Sequence, residues 1–307
     1  MKRNYGPFLV MIAAGLWAVD ALFRTELTKS ISPSAIVFYE HLIGFVILSP
    51  FFFKALTQFK KLNSEDWSML LLLTLVSSVL GTLLFTEALM RSFSVGDFAT
   101  PILLQKLQPI FVIILAGSFL RERITLRFIT LVGIALAGSY MISFGTDPIS
   151  LSFSDKEIIY LLAIGAAAAW GSGTVMSKQI LKKLSFSTAT SLRFLLAIPI
   201  AYIAMLILNQ TYPVSELAGG QLLRFLIIAF TTGAGAVLIY YRGLQKTEAK
   251  VATVAELTFP IVSILIAITA LNPFGDPQKF SLANGFGIAI LLISILVISF
   301  DYQKYSN

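Results

Sequence analysis

The chain has 307 residues, of which 57% are hydrophobic and only 13% charged, with a mean hydropathy of +0.84 and a formal charge of +7. A soluble protein of this size exposes far more charge, so the composition points to a polytopic membrane protein with no separate soluble domain. The basic residues are spread between apolar blocks, which argues against a nucleic-acid surface, and the absence of cysteine excludes disulfides and thiolate metal sites.

About ten apolar runs follow one another, at 6–28, 34–56, 67–90, 98–119, 126–144, 157–180, 187–208, 221–244, 251–270 and 281–300. Each approaches the roughly 20 residues that cross about 30 Å of hydrocarbon as helix. The opening, Met1-Lys2-Arg3 and an apolar stretch, resembles a signal peptide. It carries Trp17 and Asp20, lacks a small-x-small cleavage site and runs into further spans, so it reads as the first span. Ile31-Ser32-Pro33 breaks the first pair, and Ser64-Glu65-Asp66 starts the third helix. Ser154 to Glu157 reads as a capping box, and Asn272 to Pro277 as a turn. With a cytoplasmic N-terminus, the lysines and arginines of the connections fall at thirteen inside positions. Lys60, Lys61, Arg121, Arg123, Lys182 and Lys183 are among them. Only four, Lys29, Arg91, Lys156 and Lys279, fall outside. That bias places both termini in the cytoplasm.

The chain repeats itself. Trp17 aligns with Trp170, and the same offset aligns Ser32-x-Ser34 with Ser185-x-Ser187 and Glu40 with Arg193. Pro109 aligns with Pro260 at nearly that offset, and Ile142-Ser143-Phe144 matches Ile298-Ser299-Phe300. Residues 1–150 and 151–307 therefore read as two five-helix repeats. An odd number of spans in each repeat inverts the second against the first, a plan common in secondary transporters.

Polar residues inside the spans mark the candidate site. A lysine at bilayer depth costs at least about 2.5 kcal/mol and is rarely left facing lipid. Lys106 stands beside Gln105 in the fourth span, with Pro109 just beyond; Glu256 and Pro260 repeat the plan in the ninth. Counted along the helices, Asp20, Glu40, His41 and Lys106 fall in one layer toward the outer side. Arg193 and Glu256 fall in a reflected layer toward the inner side, with Tyr240 and Tyr241 at the inner end of the eighth span. Two readings stay open: polar layers that recognise or gate a solute, and structural ion pairs, Glu40 with Lys106 and Glu256 with Arg193.

His41, the single histidine, suits proton uptake in a coupled cycle, but a lone histidine is more often a hydrogen-bonded packing residue. Trp17 and Trp170 sit mid-span among small residues, where a large ring either fills a hole or stacks on a solute. Tyr240 and Tyr241 divide the same way, with interfacial anchoring expected of at least one. There is no His-Glu-x-x-His, no phosphate-binding loop and no Gly-x-Ser-x-Gly elbow. The expectation is therefore no enzyme, no cofactor and no metal site.

At this point the sequence resembles the drug/metabolite transporter superfamily, of the EamA type, over nearly its whole length. Besides the helix count and repeat, the likeness rests on Ala14-Gly15-Leu16-Trp17 with Ala168-Ala169-Trp170-Gly171. It rests also on Leu107-Gln108-Pro109-Ile110-Phe111, on Leu120-Arg121-Glu122-Arg123-Ile124-Thr125, and on Gly133, Ala137 and Gly138. One departure stands out. After the ninth helix, Asn272-Pro273-Phe274-Gly275-Asp276 replaces the acidic motif, so the part of Glu122 is not duplicated. The resemblance implies a carrier that alternates between outward-open and inward-open states. Its cavity would be lined mainly by helices one, three, four, six, eight and nine.

Together these readings give an all-α membrane protein of about ten transmembrane helices in two inverted repeats. It is expected to be a plasma-membrane secondary carrier in the lipid bilayer, driven by proton coupling or exchange. The expected solute is a small polar or charged metabolite, amino-acid-like, nucleobase-like or vitamin-like. The alternatives are an exporter of drugs or organic cations, and a passive channel or non-transporting scaffold.

Overall fold

The computed structural model describes residues 5–54, 56–147 and 156–305. Among the described residues ten helices are long and apolar enough to span a membrane. They are α1 (Gly6–Thr28), α2 (Pro33–Phe53), α3 (Ser64–Val95), α4 (Ala99–Leu120), α5 (Leu126–Phe144), α6 (Glu157–Ile180), α7 (Phe186–Ile207), α8 (Gly219–Gln245), α9 (Ala249–Ala267) and α10 (Leu282–Tyr302). The third is longer than its apolar run. Asn63 caps it by accepting the Asp66 N–H at 2.9 Å, while the Asp66 carboxylate accepts the Asn63 N–H at 2.9 Å. The capping box expected at Ser154 lies outside the described residues, as do Met1 to Arg3 and the side chains of Lys54 and Lys304.

Four of these helices are irregular near their middles. In α4 the helix stops at Gln105, turns at Lys106 and Leu107, and restarts at Gln108. In α9 it tightens to a 3-10 turn over Glu256–Thr258. Both follow from a proline four residues on. Pro109 and Pro260 have no N–H to bond the carbonyls of Gln105 and Glu256, and their rings clash with those carbonyls. Thr74–Leu80 of α3 widens to a π-helix, and α8 breaks between Phe230 and Ala234. There the Gly233 N–H reaches back five residues to the Ile228 carbonyl at 2.6 Å. Such irregular turns need internal partners at bilayer depth and survive only inside the bundle or around a cavity.

The helices pack in a plan used twice. α2 lies against α7 and α5 against α10, while α1 lies on α8 and α9, as α6 lies on α3 and α4. Gly138 of α5 faces Gly287 of α10 so closely that a Cβ on either would fall 2.7–2.9 Å from the other's carbonyl oxygen. Gly173 of α6 does the same for the wide turn of α3, since a Cβ there would lie 2.1 Å from the Ser77 hydroxyl. With lipid as apolar as the side chains themselves, this close approach is what associates the helices.

The Arg121–Thr125 connection is tied to the second half through Glu122. Its carboxylate accepts the N–H of Ala249 at 2.7 Å and of Lys250 at 2.9 Å, closing the N-terminus of α9. Burial pushes this carboxyl up, against the pull of those two donors. Glu122→Ala is expected to lower stability by about 1–2 kcal/mol, in the range of lost helix caps. Glu122→Gln, which keeps one acceptor, should lose less. Thermal unfolding of both variants in detergent checks this, and an unchanged midpoint for Glu122→Ala contradicts it.

Candidate functional site

The irregular turns of α3, α4, α8 and α9 surround a central cavity of about 180 Å³. All the residues singled out from sequence, Trp17, Asp20, Glu40, His41, Gln105, Lys106, Trp170, Arg193, Tyr240 and Glu256, line it, except Tyr241, which is buried just behind. Besides the six expected helices, α2 and α7 contribute wall residues, through Glu40, His41, Arg193 and Phe194. In the turn after α9, Phe274 lines the cavity and stacks on Phe98, ring centroids 4.6 Å apart.

One wall is an ion cluster that the sequence reading did not contain. Arg24 donates through Nε to Asp20, one helical turn away, through Nη2 to Glu40 at 2.8 Å and through Nη1 to Thr86 at 3.4 Å. The second oxygen of Asp20 accepts the Thr232 hydroxyl at 2.6 Å, which the break in α8 brings into reach. Arg24, Asp20 and Glu40 are all buried. The expected Glu40 to Lys106 pair is therefore not formed, because Arg24 takes Glu40. The signal for Arg24 was present, since an acid and an arginine four residues apart share a helix face.

The second wall joins the halves at the two proline-marked interruptions. Glu256 accepts the Tyr240 hydroxyl at 2.8 Å and the Gln108 amide at 2.7 Å. Glu256 therefore meets α4 directly, and the two polar layers are not separate. Lys106 lies 3.3 Å above the centre of the Phe259 ring, a cation–π contact. It has no hydrogen bond and no ion pair among the described residues. Because the helix stops at Gln105, Gln105 and Lys106 both face the cavity rather than diverging as they would on an unbroken helix. Thr82, Gln105, Lys106 and Ser263 line the cavity without a side-chain hydrogen bond among the described residues.

The third wall belongs to Arg193. It donates to Ser78 and Ser77 on the wide turn of α3, the latter at 3.0 Å, and to the Tyr241 hydroxyl at 2.8 Å. The expected Arg193 to Glu256 pair is not formed either, because the two tyrosines take one charge each. Tyr240 and Tyr241 are buried and hydrogen-bonded, to Thr174 at 2.9 Å and Ser177 at 2.7 Å among others, so neither anchors at an interface. Trp17 packs on Tyr240 with centroids 5.1 Å apart, and Trp170 on Phe85 at 5.5 Å; the two tryptophans flank the cavity without touching each other. His41 donates from Nδ1 to the Val37 carbonyl at 2.7 Å and packs on Phe194, its alignment partner in α7, at 5.0 Å. The charged residues on the wall are three acids, Asp20, Glu40 and Glu256, and three bases, Arg24, Lys106 and Arg193. Their formal sum is zero. Among the described residues no cluster of potential metal ligands occurs.

The EamA-like transporter family model matches residues 4–144 and, separately, residues 157–300. The chain is 34% identical over 296 residues to the riboflavin transporter ImpX of Fusobacterium nucleatum, covering 96% of this chain and 97% of that one. It is 24% identical to an uncharacterized transporter of Methanothermobacter thermautotrophicus, covering 97% and 87% of the two chains. Its identity to the uncharacterized transporter YwfM of Bacillus subtilis is 21%, covering 99% and 97%. One solved crystal structure superposes over 100% of both chains with a TM-score of 0.73 at 15% identity, a likeness of fold.

Proposed function

The chain belongs to the EamA-like transporter family, and we propose that it carries a small polar, net-neutral metabolite of the flat vitamin kind across the cell membrane by alternating access. Residues 1–150 and 151–307 act as the two inverted repeats, which rock against each other about the α2–α7 and α5–α10 contacts. The two separate family matches and the packing plan used twice support this division. The loop-charge bias supports cytoplasmic termini. The energy comes from a gradient, through proton coupling or exchange.

The observation that carries the solute class is the balance of the wall: three acids against three bases, among aromatic rings that include Trp17, Phe85, Trp170 and Tyr240. A cavity of zero formal charge disfavours an ion that brings charge without a partner. It suits a solute with a flat ring and several hydrogen-bonding groups. Riboflavin, the solute named for the relative at 34% identity, has that chemistry. This weighs against an exporter of organic cations, for which unneutralised acids would be the recognition groups.

Reconstituted in vesicles preloaded with unlabelled riboflavin, the protein should accumulate labelled riboflavin transiently and saturably. Counterflow of this kind separates a carrier from a channel. Saturable counterflow absent for riboflavin removes the flavin reading, and non-saturating flux without counterflow removes the carrier.

A further inference from the structure

Two neighbouring side chains on the cavity wall have unmet hydrogen-bonding capacity. Lys106 is 8% exposed and Gln105 6%. The Lys106 ammonium holds only the face of Phe259. The Gln105 Oε1 is buried with no donor in reach. Buried polar groups are nearly always satisfied, and the exceptions call for a partner that is missing. Gln105 Oε1 is such an exception, and Lys106 beside it has no hydrogen bond among the described residues; both face the same cavity, put there by the interruption before Pro109. Elsewhere on the wall the charged groups are already engaged: Glu256 by Tyr240 and Gln108, Arg193 by Ser77, Ser78 and Tyr241, and Asp20 and Glu40 by Arg24.

An ammonium only donates, whereas a primary amide presents an acceptor and a donor that exchange places when it turns through 180°. A solute group that satisfies both neighbours has a carbonyl oxygen for Lys106 and, directly beside it, an N–H for the Gln105 oxygen. On a flat ring that pattern is the edge of a cyclic imide, an N–H between two carbonyls. An anion would satisfy Lys106 and meet Gln105 only with the amide turned to present its N–H2, which does not supply the donor that the buried Oε1 lacks as placed. We propose that Lys106 and Gln105 read the cyclic imide edge of a planar heterocycle. Trp17 and Tyr240 then stand as an aromatic wall of the same cavity. This assignment rests on the flavin-like reading above, because riboflavin presents such an edge.

The test uses the purified full chain in detergent and two probes, riboflavin and 3-methylriboflavin, in which the imide N–H is replaced by N–CH3. Binding is read from flavin fluorescence. A site that hydrogen-bonds a group discriminates strongly against an analogue lacking it. The wild-type protein should bind riboflavin at least tenfold more tightly than 3-methylriboflavin. Gln105→Ala, which removes the acceptor and leaves room for the methyl group, should weaken riboflavin binding and bring the two affinities within about twofold. Equal affinities in the wild type overturn the assignment while the flavin carrier stands, and the comparison requires no variant to fold. Discrimination that persists in Gln105→Ala also overturns it, since the methyl group is then excluded elsewhere. If the wild type binds neither probe, the flavin reading falls and the assignment with it.

Discussion

Lys106→Met is expected to weaken riboflavin binding by roughly 10- to 100-fold while leaving the folded protein at least as stable as the wild type. The size of the loss follows from removing one charged donor, whose hydrogen bond contributes about 1.5–3 kcal/mol. The direction of the stability effect follows from what Lys106 lacks. Its charge is buried without an ion pair or hydrogen bond, held only over the Phe259 ring. Replacing a buried charge that has no hydrogen bond or ion-pair contact by an apolar side chain of similar length removes a desolvation cost, which is larger than the lost longer-range attraction to Glu256. Gain of stability with loss of binding is the mark of a residue kept for function. Lys106→Arg should retain part of the affinity, because the fork keeps the charge but places its donors differently. The measurements are flavin titration and thermal unfolding on the same preparation. Unchanged affinity moves the site away from the interruption of α4, toward the tryptophans. A large drop in stability makes Lys106 a structural residue.

The sequence carried the broad architecture because hydrocarbon imposes length: ten apolar runs became, among the described residues, ten helices long and apolar enough to span a membrane. Two of the four irregular points are also written in the sequence, although both spans were read as unbroken helices. Proline interrupts the bond to the residue four before it, and those residues are Gln105 and Glu256, so the two breaks and their polar side chains were legible together. The break in α8 was not. Thr231 to Gly233 has no proline, and its wide turn is held open by tertiary contacts, among them the Thr232 bond to Asp20. The partners of the charges were also beyond sequence reasoning. Depth along a helix gives a layer, but pairing depends on which face each helix turns inward. Glu40 and Lys106 were placed at one depth, yet Glu40 meets Arg24, and Lys106 meets Phe259 of the other half. The expectation that Tyr240 or Tyr241 anchors at an interface failed for the same reason. Near a helix end they look interfacial, and the packing of α8 on α1, α6 and α7 buries them.

Arg24→Met is expected to have the opposite outcome to Lys106→Met. Among the described residues Arg24 is the single cation bonded to the two buried carboxylates, Asp20 and Glu40. Removing one member of a buried ionic cluster leaves uncompensated charge and costs roughly 3–5 kcal/mol. That is a large share of the roughly 5–15 kcal/mol that keeps a typical protein folded. Folded yield and unfolding temperature should both fall sharply. The cost lies in the orphaned acids rather than in the lost arginine contacts, so it should be reversible by neutralising them. Asp20→Asn still accepts the Thr232 hydroxyl, and Glu40→Gln keeps the shape of the side chain. The triple variant Arg24→Met, Asp20→Asn, Glu40→Gln should therefore recover most of the lost stability. It also holds the formal charge of the wall one unit above zero, so riboflavin affinity separates the structural from the electrostatic part of the cluster. Full stability in Arg24→Met alone would mean that the acids are neutralised by something other than Arg24. A triple variant as unstable as the single would place the loss in packing around Arg24 and Thr86 instead of in charge.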